Sequence, residues 1–364
     1  MINDTLTAKT PSRKYNIYIG RDLLDLFFRE IIQTWHFRKT AVIIDSNLHQ
    51  LYAAAIAENA KKNGCEYKIY TFPAGEESKS REQKAKIEDF LFENHYDRSS
   101  CLSAFGGGVA GDLTGFTAST YYRGIPFLQY PTSILACVDS SIGGKTGINT
   151  RYGKNLIGTY HQPHAVYVDL DMLDTLPDLE FRAGFAEVIK TAVISDKKLF
   201  STLNNKSQDI LSREKELLAK IIYRCIQIKK NIVEKDERES GFRMILNFGH
   251  TIAHALEKIS SHSIHHGDAV AIGMCYEAKI ASMLGILPKD DMIQIENLLK
   301  KYHLPVKIPA AIDKTQIYPA LIFDKKAVDG SIYMSLPHVI GEIGKDGEYV
   351  IKISKETVDS AIRE

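Results

Sequence analysis

The first half of the chain alternates short apolar runs with amphipathic stretches. Residues 39–45 (KTAVIID) form a mostly apolar run, the pattern of a strand covered on both faces. Residues 48–63 follow with Ala-rich helical spacing and stop at Gly64. Strand-like runs recur at 67–72, 99–105, 126–130 and 165–170. Helical patterns lie between them at 80–94, with Ile87, Phe90 and Leu91 apolar, and at 113–121. This alternation predicts a parallel, Rossmann-like sheet with helices on both faces.

After Pro177 the pattern changes. Helical periodicity covers 179–195, 214–234, 244–260, 268–284 and 291–302, and strand-like runs almost vanish. Gly184, Pro288 and Pro305 punctuate these helices rather than break them. The expected organisation is an α/β domain over 1–177 and an all-α, metal-binding C-terminal domain over 178–364. Residues 332–339 read as a short strand or an extended tail across the domain joint. No internal repeat or low-complexity segment is visible.

Composition narrows the function classes. The 364 residues suffice for two cores, and 44% hydrophobic with 25% charged residues is ordinary for a globular enzyme. A net charge of +1 gives no reason to expect nucleic acid or an anionic membrane as partner. The N-terminus lacks a signal-peptide core, and no apolar run is long enough to span a bilayer. Five cysteines lie far apart without a CxxC pair, which predicts reduced thiols in a cytoplasmic protein.

Candidate chemistry gathers in three places. The run 139–155 (DSSIGGKTGINTRYGKN) reads as a loop holding Asp139, Lys145, Asn149, Lys154 and Asn155 among Gly143, Gly144 and Gly147. Glycines allow close backbone approach, and lysine beside exposed N–H groups is a common way to hold phosphate. Upstream, Gly106, Gly108 and Gly111 fit G-x-G-x-x-G after a strand and before a helix, where free N–H groups meet a pyrophosphate. No acid follows about twenty residues later, as in the usual dinucleotide fold. Asp45, at the end of an earlier strand, is placed to take a ribose hydroxyl. The competing reading is a glycine-rich turn that packs helix on strand.

Downstream, His250 and His254 stand four apart in LNFGHTIAHALEKI and share a helix face, while Ile252, Leu256 and Ile259 form another that packs on the core. His262, His265 and His266 follow. Imidazoles at this spacing are common zinc ligands, and a catalytic site needs only three protein ligands. The spacing does not choose the partner of His250 among His254, His262, His265 and His266, nor the carboxylate. Glu187 is the attractive acid, three residues before Lys190 in FAEVIK; a surface ion pair is the other reading of that pair. Arg243, Asn247, His250 and His254 recur at helical spacing if their helix starts near Phe242, with Lys229 and Glu239 leading into it. Such a stripe lines a guanidinium, an amide and two imidazoles along one wall, and arginine grips carboxylates bidentately as lysine cannot. A solvated polar face is the bland alternative.

In chain order, GGGVAGDLTGF, YYRGIPF, QYPTSILACVDSSIGGKTGIN, GKNLIGTYHQP, FAEVIK, DERESGFRMILNFGHTIAHALE and HHGDAVAIGM resemble the 3-dehydroquinate synthase family, from about residue 45 to 326. The resemblance implies the second step of the shikimate pathway: 3-deoxy-arabino-heptulosonate 7-phosphate becomes 3-dehydroquinate and phosphate. It also implies NAD, restored each turnover, and a divalent metal, zinc first and cobalt second. By the same resemblance Glu187, His250 and His266 are the metal ligands. Asp45, Glu76, Lys79, Gly107, Gly108, Val109, Asp112, Thr132, Ser133, Asp139 and Lys154 line the NAD site. Lys145, Asn155, Asn247, His254 and one of Lys325 or Lys326 contact substrate and phosphate. Arg123 is lent across a homodimer interface. Lys190, Lys229 and Arg243 hold the substrate's carboxylate and hydroxyls, and Glu239 and His254 carry protons. Asp268, Thr150-Arg151-Tyr152 and Cys137 depart from the family pattern without touching these positions.

The implied chemistry explains why these parts coexist. Oxidising an alcohol with NAD acidifies the neighbouring C–H, so phosphate leaves by elimination. The hydride then returns, the ring opens and an intramolecular aldol closes the carbocycle. Another sugar-phosphate cyclase, acting on a substrate without a carboxylate, is opposed by Arg243 and Lys229. A metal-dependent polyol dehydrogenase has no use for phosphate-binding lysines. A silent NAD- or zinc-binding regulator would be expected to lack some of Lys145, Lys190, Arg243 or His254.

Overall fold

The computed structural model describes residues 2–260, 263–322, 331–344 and 347–363. The chain divides into two compact units, Met1–Leu176 and Pro177–Glu364. The first runs β1 (Ile2–Lys9), β2 (Lys14–Gly20), α1 (Leu24–Gln33), β3 (Lys39–Asp45), α2 (Ser46–Lys62), β4 (Glu66–Phe72) and α3 (Arg81–Glu93). It continues with β5 (Cys101–Gly106), α4 (Gly108–Thr120), β6 (Phe127–Pro131), β7 (Lys145–Thr150), β8 (Gly153–Tyr160) and β9 (Ala165–Asp169). One sheet has the order β1-β2-β9-β6-β5-β3-β4, parallel except where β1 pairs antiparallel with β2.

Strands β3, β5, β6 and β9 are buried almost throughout, which is why they read as apolar runs. Val42 and Ile44 of β3 pack with Phe27 and Ile56 of α1 and α2, while Ala41 and Ile43 pack with Ile87 and Leu113 of α3 and α4. Both faces are therefore covered by helices. The N-terminal hairpin has no such run. Its edge strand β1 is largely polar (INDTLTAK), so neither it nor β2 is announced by the apolar pattern. Between β3 and β5 the strand order changes direction, and ligands of such sheets bind at the carboxyl ends that flank this point.

The run 139–155 is not the loop its composition suggests. A turn at Ala136–Ser140 leads into the antiparallel hairpin β7–β8. Its glycines bring strands together: a Cβ on Gly158 would lie 2.0 Å from the Thr146 carbonyl oxygen.

The second unit runs α5 (Asp178–Ser195), α6 (Lys197–Asn205), α7 (Ser207–Leu211), α8 (Lys215–Lys235), α9 (His250–Ile259), α10 (His266–Met283) and α11 (Lys289–Lys301). Then come α12 (Ile317–Ile322), β10 (Ile332–Met334), β11 (Pro337–Val339), β12 (Glu342–Ile343), β13 (Ile351–Ile353) and α13 (Lys355–Arg363). The short strands pair as β10–β13 and β11–β12. Residues 332–339 pack within this unit, where the Ser335 hydroxyl donates to the Met244 carbonyl at 2.7 Å. Helices α5 and α10 are buried nearly all round, so any charge on them sits in the core. Among the described residues no helix is long and apolar enough to cross a membrane.

Candidate active site

Helix α5 buries two charged side chains one turn apart. Glu187 and Lys190 form an ion pair with side chains 1% and 2% exposed, so this is no surface pair. The second Glu187 oxygen, Oε1, lies 3.3 Å from His250 Nε2 and 3.5 Å from His266 Nε2. One donor atom from each of the three residues lies within 4.8 Å of the others. The outer ring nitrogens are also occupied: His250 Nδ1 is 3.2 Å from the Phe248 carbonyl, and His266 Nδ1 is 3.3 Å from Glu257 Oε1. Such partners turn each Nε2 toward one point, as second contacts of metal-binding imidazoles do. One carboxylate and two imidazoles suit zinc with positions left open for substrate.

Of the histidines left open by spacing, the structure brings His266 to this cluster. His254 packs edge-on to His250 with ring centroids 5.8 Å apart. His265 is exposed and 3.9 Å from Glu180, and His262 lies outside the described residues. Glu257 has one legible signal, its place two turns after His250 on the same helix.

Burial and charge split the two rings. Burial, reinforced by the Lys190 ammonium, takes His250 down to about 4. For His266 burial is outweighed by hydrogen bonds to Glu187 and Glu257, which lift it to about 9. Burial opposes the Glu187 charge too, but the Lys190 ammonium and the His250 ring hold its carboxyl well below the usual range. A ring that keeps a proton to about pH 9 must lose it before binding metal. Metal affinity is therefore expected to fall by up to about tenfold per unit as pH drops below 9, with proton release on binding. Calorimetric titration in buffers of different ionisation enthalpy measures that proton; none released at pH 7.5 would contradict the assignment. In the metal-free protein the sign is fixed as well. The folded value exceeds the ordinary 6.5, so this charge stabilises the fold below that pH and is lost as pH rises through 9.

The expected continuous helix 244–260 is corrected. Phe242–Asn247 is a 3₁₀ turn, Gly249 takes a left-handed backbone (φ 82°), and α9 begins only at His250. A Cβ at Gly249 would lie 2.6 Å from Met274 Cγ and 3.0 Å from the Val270 carbonyl, so close packing on α10 requires glycine there. Arg243 and Asn247 therefore do not share the helical face of His250 and His254. Instead the Asp236 carboxylate takes the N–H groups of Ser240, Gly241 and Arg243 at 2.8–3.0 Å and shapes the turn. Arg243 is 1% exposed, and its Nη1 donates to the Glu237 carbonyl at 2.5 Å. No side-chain pattern could reveal that partner. Asn247 Nδ2 donates to Glu239 Oε1 at 3.1 Å, and Lys229 is buried on α8.

In the first unit, Asp45 Oδ1 caps α2 through the N–H groups of Asn47 and Leu48 at 2.9 and 3.1 Å. Its other oxygen would lie 3.7 Å from a Cβ on Gly106, so the carboxylate flanks the glycine loop. Gly107 precedes the first turn of α4, which holds Gly108, Val109 and, one turn on, Asp112. The Thr132 N–H reaches the Gly106 carbonyl at 3.0 Å, and Ser133 Oγ takes the Ala136 N–H at 3.2 Å. These groups gather at the carboxyl ends of β3, β5 and β6, where a helix start can receive a pyrophosphate. Packing needs two of the glycines as well: a Cβ on Gly106 would meet Ala110 Cβ at 2.7 Å, and one on Gly111 the Gln129 amide at 2.9 Å.

Beside them Lys79 pairs with Asp112, and Asn149 of β7 ties the group together. Its amide donates to Glu76 Oε1 at 2.7 Å, and its N–H reaches the Lys79 carbonyl at 2.7 Å. Asn155, left-handed at φ 55°, donates its N–H to Asn149 Oδ1 at 3.1 Å. Lys145 is exposed at the start of β7, while Asp139 and Lys154 are half-buried. Arg123 is exposed and left-handed (φ 69°) in the turn after α4. Lys325 and Lys326 lie outside the described residues.

Two family models match the chain, described as 3-dehydroquinate synthase N-terminal over 69–183 and 3-dehydroquinate synthase C-terminal over 184–327. A 3-dehydroquinate synthase of Thermodesulfovibrio yellowstonii is 43% identical over 341 residues, 93% of this chain and 95% of that protein. Among solved structures, 2-deoxy-scyllo-inosose synthase complexed with carbaglucose-6-phosphate, NAD+ and Co2+ matches with a TM-score of 0.90 at 28% identity over 99% of each chain. The 2-epi-5-epi-valiolone synthase from Streptomyces hygroscopicus with NAD+ and Zn2+ bound matches at 0.87 and 25%, over 96% of each.

Proposed function

The chain belongs to the 3-dehydroquinate synthase family, and from that premise we propose that it converts 3-deoxy-arabino-heptulosonate 7-phosphate to 3-dehydroquinate and phosphate. The observation that carries the site is the buried Glu187 carboxylate with two imidazole nitrogens turned onto one of its oxygens. Glu187, His250 and His266 would hold the metal, which when bound supplies a Lewis acid to the substrate's alcohol oxygens. The Co2+ and Zn2+ of the related cyclases support either ion. Asp45, the 107–109 loop, Glu76, Lys79, Asp112, Thr132, Ser133, Asp139 and Lys154 would hold NAD, which supplies a reversible hydride acceptor.

The chain's own groups do the rest. The Lys190 charge keeps Glu187 ionised inside the core. Arg243, oriented by the Glu237 carbonyl, would grip the substrate carboxylate, with Lys229 and Asn247 at its hydroxyls. Lys145, Asn155 and Lys325 or Lys326 are assigned to the leaving phosphate, where fixed positive charge and N–H groups favour developing negative charge. Glu239 and His254 are assigned as proton carriers. Arg123, exposed on its turn, suits a role in a neighbouring protomer of a homodimer. Free cysteines, four of them buried, fit a reducing cytoplasm. A cyclase for a carboxylate-free sugar phosphate is the second reading, favoured by the inosose synthase match and opposed by the buried Arg243.

The test is to incubate the protein with the heptulosonate phosphate, a divalent metal and a trace of NAD. Phosphate and dehydroquinate are expected to appear one for one, with NADH far below either. NADH rising in step with product would transfer the assignment to a dehydrogenase.

A further inference from the structure

Helix α9 carries His250 in its first turn and has no side-chain cap of its own, because its N-cap is Gly249. The first N–H groups of any helix need partners from elsewhere. Glu277 of α10 supplies them: Oε2 accepts the Gly249 N–H at 2.7 Å and Oε1 the Ile252 N–H at 3.1 Å. These two donors bracket His250 in the chain. Glu277 is 0% exposed, and the chemistry proposed above makes no use of it. A carboxylate so deep is tolerable because two N–H groups and the positive end of a helix face it.

The same helix touches the same place with its backbone. A Cβ on Gly273 would lie 1.9 Å from the Gly249 carbonyl oxygen, so α10 and the start of α9 are in direct contact. Gly267 does likewise against α5, where a Cβ would lie 2.1 Å from the Ala183 carbonyl. Helix α10 also begins with His266. It therefore contributes one imidazole at its start and fixes the other from its interior. Helix α9 has only 10 residues, and short helices fray readily at an uncapped end. Its first residue, His250, is where fraying would be felt.

We infer that Glu277 is a positioning residue for the metal: its carboxylate clamps the start of α9 so that His250 Nε2 meets the Glu187 carboxylate. The inference rests on the metal assignment proposed above. It is tested by titrating the full-length, metal-free protein with Co2+ against a competing chelator and recording the visible d–d bands. Glu277→Gln, which turns one acceptor oxygen into an N–H2 group, is expected to weaken Co2+ binding about tenfold or more and to change those bands. Ile252→Val trims the core beside the same turn and leaves the clamp intact; it is expected to lower the melting temperature yet bind Co2+ within about twofold of the unaltered chain. Should Glu277→Gln not fold, Glu277→Asp, which keeps the charge with a shorter reach, is expected to show the same weakening in smaller measure. Unchanged affinity and spectrum in the folded Glu277 variant would overturn the inference. So would an equal loss in Ile252→Val, which would reduce the clamp to helix stability alone. His250→Ala separates the two levels: if it binds Co2+ as well as the unaltered chain, the metal assignment itself fails.

Discussion

Glu187→Gln is expected to abolish metal uptake at micromolar concentration and to lower turnover by about two to four orders of magnitude. The substitution preserves shape and removes the charge on which three other groups depend. His250 and His266 would face a neutral amide in place of the carboxylate oxygen at 3.3 and 3.5 Å, leaving two imidazoles and a weak amide where an open catalytic site needs three good donors. A Lewis acid contributes several kcal/mol to stabilising oxyanion charge, and each 1.36 kcal/mol is about a factor of ten in rate. Lys190 would also lose its partner at 2% exposure. Breaking one half of a buried pair costs about 3–5 kcal/mol unless the lysine sheds its proton. A lower melting temperature should therefore accompany the lost activity, while NAD affinity, which the proposed site assigns to residues of the first unit, should persist. His265→Ala is the control, since that ring is half-exposed and outside the cluster. A Glu187→Gln protein that still binds one metal and turns over at the original rate would remove Glu187 from the ligand set.

What the sequence displayed and what it concealed follow one physical division. Strands β3, β5, β6 and β9 were legible because burial on both faces demands apolar residues at successive positions. The edge hairpin and β7–β8 were not, because polar edge residues and strand-contact glycines resemble loop chemistry. At the site, His250 and His254 were suggested by helical spacing, which is local. The choice of His266 depends on how α10 packs against α5 and α9, which no local pattern encodes. Glu187 is marked in the sequence only by its i,i+3 spacing to Lys190, which fits a surface ion pair equally well; its burial comes from α5 being enclosed nearly all round by the packing of its unit. The break at Gly249 was concealed because glycine is tolerated within helical patterns, and its requirement here comes from Met274 and Val270 on another helix.

Arg243→Lys is expected to lower catalytic efficiency about ten- to a hundredfold while leaving metal and NAD affinity within about twofold. The guanidinium is 1% exposed and anchored by the Glu237 carbonyl, and its backbone N–H is held by Asp236. Its direction is thus fixed before substrate arrives, which makes a bidentate grip on a carboxylate efficient. A charge-assisted pair of that kind contributes about 1.5–3 kcal/mol, the source of the expected range. Lysine keeps the charge, but it has neither the planar fork nor a donor that reaches Glu237 and a substrate together. Stability should fall modestly for the same reason, since a buried carbonyl loses its donor. The decisive comparison uses two substrates. On the heptulosonate phosphate the variant should be impaired, whereas on an analogue lacking the carboxylate the unaltered chain and the variant should be equally slow. If the unaltered chain processes the carboxylate-free analogue as well as the acid, Arg243 does not read a carboxylate. The assignment would then move to the cyclases represented by the inosose and valiolone synthases.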